Sequence, residues 1–188
     1  MGGIRRVARD ESGQGLIELV IAIAIINVAI LAMFALFQAG ALSVLRASRT
    51  SNAAVLAEKQ AELYRAMLYK NILLNDTLVT TAGADSIHTS ASEWVSAATQ
   101  LTASTCTNTL AECKPMQSSV TGSDSRTYRV DTYITAITPS SGRPGKQVTV
   151  IVRLASDTSR ILAKLTSNYD LATGCTTDTS AGASSRCT

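Results

Sequence analysis

The chain has 188 residues, 46% hydrophobic but only 4% aromatic, with 16% charged side chains and a formal net charge of +3. That is length for one modest domain plus an anchor, and too few aromatics for a large core. Near-balanced charge with no basic stripe and no interleaved aromatics gives nucleic-acid binding little support, so no nucleic-acid contact is expected.

The first 13 residues form a short polar leader, with Arg5, Arg6 and Arg9 set against Asp10 and Glu11. Residues 14–38 follow as a candidate transmembrane segment. From Leu19 to Phe37 only Asn27 is polar, and 12 of the 19 residues are Leu, Ile, Val or Phe. As a helix this run measures ~28 Å, close to the hydrocarbon thickness of a bilayer. Its large apolar side chains favour insertion by at most about 4–7 kcal/mol, more than Asn27 and a carboxylate near the edge cost. A cleaved secretory signal would have a shorter apolar run with small residues after it. Here Gly13 and Gly15 precede the run. Positive charge in the leader holds the N-terminus in the cytoplasm and places the rest of the chain outside.

Residues 39–72 read as an amphipathic continuation of the same helix, to Asn71, with no proline before Pro115. Leu45, Leu56, Leu63 and Met67 recur at roughly helical spacing, and Glu62 and Arg65 stand one turn apart on the exposed side. Gly40 is the one weak point. The first half of this helix is apolar all round and needs lipid or other helices. The second half needs a small domain to pack on.

Residues 73–125 are rich in Ser, Thr and Ala and are expected to be an irregular connection, anchored by Trp94 and Val95. His88, the single histidine, reads as a solvated loop residue, and Asn75-Asp76-Thr77 matches a glycosylation tripeptide that arises often by chance. Residues 126–170 are expected to form an antiparallel β-meander. In "TYRVDTYITAI", Tyr128, Val130, Thr132 and Ile134 alternate with Arg129, Asp131, Tyr133 and Thr135. "PSSGRPGK" is a turn, and "QVTVIVRLA" aligns Val148, Val150, Val152 and Leu154. In "RILAKLTSNY", Ile161, Ala163 and Leu165 share a face. The fold class is therefore α+β: a long N-terminal helix packed on a small antiparallel sheet.

Residues 171–188 are expected to be a flexible tail. Cys106, Cys113, Cys175 and Cys187 fit neither a zinc knuckle nor a CxxC pair. An even count in one region suits two disulfides in an oxidising compartment. The local pairs Cys106–Cys113 and Cys175–Cys187 are the expected connectivity, with free thiols the alternative.

Catalytic chemistry has no visible carrier. HExxH, GxSxG and phosphate-binding glycine loops are missing from the sequence. The acidic residues read as solvated surface groups, and no enzyme activity, cofactor or metal is expected.

The stretch "SGQGLIELVIAIAII" resembles the processing signal of type IV pilins and pseudopilins. The likeness covers residues 4 to about 40. That family has a basic leader ending in Gly, then an apolar helix with Glu at the fifth position of the mature chain. Carried over, Gly13 precedes the cut and Gln14 becomes the new N-terminus, which puts Glu18 fifth. A cut after Gly15 would put it third. Gln14 departs from the Phe that many members carry there.

The resemblance implies a prepilin peptidase as processing partner and N-methylation of Gln14 by the same enzyme. It also implies pairing of the Glu18 carboxylate with the Gln14 ammonium, in its own or a neighbouring subunit, as the assembly contact. The partners would be other pilin subunits and the pilus or secretion assembly machinery of the membrane. A membrane-anchored binding domain that never polymerises stays open as the alternative, as does Glu18 snorkelling at the lipid edge.

Overall fold

The computed structural model describes residues 14–138 and 144–170. The chain divides into two compact units, one up to Arg46 and one from Ala47 onward.

The N-terminal unit contributes the first part of α1 (Gln14–Arg65). Residues 15–48 of this helix are exposed throughout, whatever their type. A window of mean hydropathy 2.9 near its start is long and apolar enough to cross a membrane. That window is buried nowhere among the described residues, unlike the core helix of a water-soluble domain.

The second unit is α+β. The end of α1 packs on a four-stranded sheet of β3 (Met116–Thr121), β4 (Thr127–Ile137), β5 (Gly145–Leu154) and β6 (Asp157–Asp170). Spatial order follows chain order and every pairing is antiparallel. The expected meander is thus present with one additional strand. β3 lies in the stretch read as irregular, because "MQSSVT" has no clean alternation and carries a register shift between Gln117 and Val120. Its partner β4 supplies the pattern it lacks.

The helix face that meets the sheet is Ala53, Leu56, Ala57, Gln60, Ala61 and Tyr64. These positions recur at three- and four-residue steps, as a single helical stripe must. Of the expected stripe, Leu56 is central, Leu63 and Met67 are only partly buried, and Leu45 is 46% exposed. Small alanines let the helix come close to the sheet, which leucine-counting overlooks. The helix also ends at Arg65 rather than Asn71. Leu68 is extended, and a single 3-10 turn (Tyr69–Asn71) follows. The Lys146 ammonium, on β5, donates to the carbonyls of Tyr69 and Ile72 at 2.8 and 3.0 Å. That contact ties the turn after the helix to the sheet, and burial lowers the Lys146 pKa. Glu62 and Arg65 form the expected surface ion pair.

On the sheet, Val130, Ile134, Val148, Val150 and Val152 face α1 as expected, with Tyr128. On β6 the expected face needs correction. The register shifts between Val152 and Leu154, so Ala163 lies opposite Val152 but Ile161 lies opposite Arg153. Leu162 then joins the core beside Ala163 and Leu165, while Ile161 is left 46% exposed. A bulge adds one residue, and one residue reverses a strand's faces.

The segment between helix and sheet is also more ordered than expected. β1 (Leu74–Asn75) pairs in parallel with β2 (Thr102–Ala103), and α2 (Asp76–Ala82) and α3 (Ser86–Thr89) stand between them. Each short helix is capped by the residue before it. Asn75 accepts from the Leu78 N–H, and Asp85 accepts from the N–H groups of Ile87 and His88. Trp94 packs against both buried clusters, as anticipated, whereas Val95 is 75% exposed.

Candidate functional site

Three sets of residues merit description: the start of α1, the disulfide loop and a buried charge cluster on the sheet.

Gly13 lies outside the described residues, and Gln14 is the first residue of α1. Glu18 sits one turn into the helix on an exposed surface, among Leu16, Ile17, Leu19 and Val20, which are each more than half exposed. A carboxylate in that setting has apolar neighbours and no cation of its own chain among the described residues.

Cys106 and Cys113 are bonded, with their Cα atoms 5.5 Å apart. Cys175 and Cys187 lie outside the described residues. The loop closed by the bond turns its carbonyls towards α1. Gln60 Nε2 donates to the Ala111 carbonyl at 3.1 Å, and the Tyr64 hydroxyl donates to the Glu112 carbonyl at 2.6 Å. Gln117 Nε2, on β3, reaches Gln60 Oε1 at 3.2 Å. Both helix groups are buried, so the loop supplies acceptors that the apolar core cannot. Burial pushes the Tyr64 hydroxyl well above its ordinary pKa, keeping it a donor.

Asn75 joins this arrangement, since its Nδ2 donates to the Cys106 carbonyl at 2.6 Å. Its amide is buried and engaged at both ends, so in the folded chain it is no glycan acceptor despite the tripeptide.

The second face of the sheet holds what the sequence reading missed. Arg129 and Arg153 are register partners on β4 and β5, and Asp131 stands two residues along from Arg129. The Arg129 guanidinium reaches Asp131 at 3.0 Å and Asp85 at 2.8 Å, and Arg153 Nη1 reaches Asp131 at 2.7 Å. His88 Nδ1 donates to Asp131 Oδ1 at 3.0 Å, while its ring stacks on Tyr133 and meets Trp94 edge-on. The Tyr133 hydroxyl donates to the His88 carbonyl at 2.8 Å.

His88 is therefore fully buried, not a solvated loop residue. Nor is Asp131 a surface carboxylate. The physical reason is that α3 and residues 91–94 cover this face, so polar side chains on it had to find partners there. Two carboxylates against two guanidinium groups balance the charge. Burial alone would raise the Asp131 pKa, but hydrogen bonds from His88 and Arg129 outweigh it and hold it below the usual range. The Arg129 guanidinium holds Asp85 at about 2.

No family model matches this chain, and no characterised protein or solved structure does either.

The cluster forms a clasp in which each charge is paired with another. Among the described residues no three His, Cys, Asp or Glu side chains converge as a metal site. A groove of about 560 Å³ runs beside it, lined by Ser86, Ser90, Glu93, Arg153, Ser159 and Lys164. Its Lys164 and Glu93 are already paired with each other. One sequence signal for the clasp was available: two arginines and an aspartate within strand interiors, at positions where solvent-facing strands favour Thr or Val.

Proposed function

We propose that this chain is a pilin-like structural subunit. It is made as a membrane precursor, cut between Gly13 and Gln14 by a prepilin peptidase, and assembled into a type IV pilus or pseudopilus. The observation that carries this reading is the placement of Glu18. It sits at the fifth position after Gly13, at the head of a helix apolar on all sides, and the same helix ends packed on a small sheet.

The physical logic supports it. While the arginine leader is attached, the helix is held at the cytoplasmic face. The cut removes that tether and creates an ammonium group at Gln14. In a bundle of such helices the Glu18 carboxylate must have a cation partner, and the Gln14 terminus of the same or a neighbouring copy supplies it. Pairing then sets register more than it adds stability. Head-to-tail repetition of one contact builds an open helical polymer with the sheet domain outward. The domain's disulfide accords with a location outside the cytoplasm.

The test is the mass of the N-terminal peptide from cells that express a prepilin peptidase. The expected chain begins at Gln14 and carries one methyl group. A chain that still begins upstream of Gly13 would favour the plain membrane anchor instead.

A further inference from the structure

Asn27 is the feature of α1 that the processing signal does not use. It lies inside the apolar run, exposed, and its amide bonds to no described residue. Asn52, by contrast, turns back to the Ser48 carbonyl one turn earlier. A carboxamide in hydrocarbon needs a partner, and where its own helix does not supply one, a neighbouring helix can.

Its position relative to Glu18 decides which partner. Nine residues separate them, and at roughly 100° per residue they stand about 180° apart. They are also ~13.5 Å apart along the axis at 1.5 Å per residue. Around Glu18 the surface is mixed: Ala22, Ala29, Ala32 and Gly40 share it with Ile25 and Leu36. Around Asn27 it is bulky: Val20, Ile23, Leu31, Phe34 and Gln38.

A helix with different polar groups on opposite sides suits a head-to-tail contact, since a two-fold dimer would use one face twice. All copies enter the membrane in the same direction, so neighbouring helices are parallel. We propose that Asn27 of one copy donates its amide N–H to the Glu18 carboxylate of a neighbour displaced by nine residues along the axis. This rests on the assembly reading and gives it a register.

At that displacement Leu31 lies over Ala22 and Gln38 over Ala29, while Phe34 meets Ile25. The carboxylate has two oxygens, so it accepts from Asn27 and still meets an ammonium at Gln14. Neither group is then left alone in lipid.

The experiment leaves Glu18 and Asn27 intact. Two differently tagged full-length chains, one Ala22→Cys and one Leu31→Cys, are co-expressed with the peptidase and oxidised with copper phenanthroline. Mixed dimers are read against the native-cysteine background in membranes and in sheared filaments. The expected result is a mixed 22–31 dimer several-fold above an Ala22→Cys with Val28→Cys control, whose second position lies at similar depth on another face. Leu31→Cys dimers of a single tag would mean a symmetric pair and overturn the stagger. So would filaments that contain both chains without the 22–31 link. Absence of any polymer, with a correctly cut N-terminus, would overturn the assembly reading as well. In filaments, Asn27→Leu should lower incorporation several-fold, and Asn27→Gln, which keeps the amide, should recover part of it.

Discussion

His88 Nδ1 and Asp131 Oδ1 stand 3.0 Å apart with both side chains sealed from solvent, and this bond ties α3 to the middle of β4. Asp131 is the hub. It receives Arg129, Arg153 and His88, while Asp85 takes the far side of Arg129 and caps α3. Removing the hub leaves two guanidinium groups in a dry site. Asp131→Ala should cost about 3–5 kcal/mol of stability. His88→Phe keeps the ring stacked on Tyr133 and loses one charge-assisted hydrogen bond, about 1.5–3 kcal/mol. Thermal unfolding of the detergent-solubilised chain by near-ultraviolet dichroism checks the order of the two variants. The reverse order would show that the stacking, not the charge cluster, holds the covering segment.

The same cluster sets an acid limit. Asp85 and Asp131 are both held below their ordinary pKa in the folded chain, Asp85 at about 2. A depressed folded pKa contributes stability above the unfolded value, near 3.9, and loses it as pH falls through the folded value. The domain should therefore keep full stability down to about pH 4 and lose it progressively towards about pH 2. Arg129→Leu removes the cause of the Asp85 shift. Its melting temperature should fall relative to wild type at pH 7 and converge on it at pH 2. A gap of constant size across that range would contradict the assignment.

The disulfide loop and the helix hold each other. With eight residues spanned, the Cys106–Cys113 bond is worth roughly 2.5 kcal/mol by the chain-entropy relation. Tyr64→Phe leaves the Glu112 carbonyl without its donor, about 1 kcal/mol. If the bond keeps the loop in place to receive Tyr64, the Cys106→Ser, Cys113→Ser chain should lose less from Tyr64→Phe than the oxidised chain does. A double-mutant cycle measures that difference, and strict additivity would mean the loop stays docked without its bond.

How far these features could be read in advance follows from which forces set them. The all-apolar run of α1 and the Val148, Val150, Val152 alternation are local patterns, and local patterns survive in the sequence. The burial of Arg129 and Asp131 is not local. It depends on α3 folding across a sheet face that alternation assigns to solvent, and His88 lies 43 residues from the aspartate it meets. The displacement of Ile161 depends on a bulge, and the contact of the turn after α1 with Lys146 joins positions more than 70 residues apart. The Cys106–Cys113 pair could be favoured because its span is short. Its task of holding acceptors for Gln60 and Tyr64 could not be seen before the fold was known.

The assembly reading makes its sharpest claim at the start of α1, where cutting and polymerising use different residues. Under the proposed cut, Gly13 serves the peptidase alone, because it would lie outside the mature chain. Gly13→Leu should abolish the mature-sized band while leaving the precursor in the membrane. Under the same proposal, Glu18 serves the polymer alone. Glu18→Ala removes a carboxylate that costs energy in an apolar setting, so membrane insertion should be no worse and the cut should proceed. What fails is registry between copies, and the mutant should be cut normally but depleted from sheared filaments. Glu18→Gln separates charge from hydrogen bonding. It can still accept from a neighbour's amide but cannot balance the Gln14 ammonium, so it should incorporate better than Glu18→Ala and less well than wild type. Immunoblots of cell and sheared fractions give all three answers. Equal incorporation of Glu18→Ala and wild type would remove the carboxylate from the assembly contact.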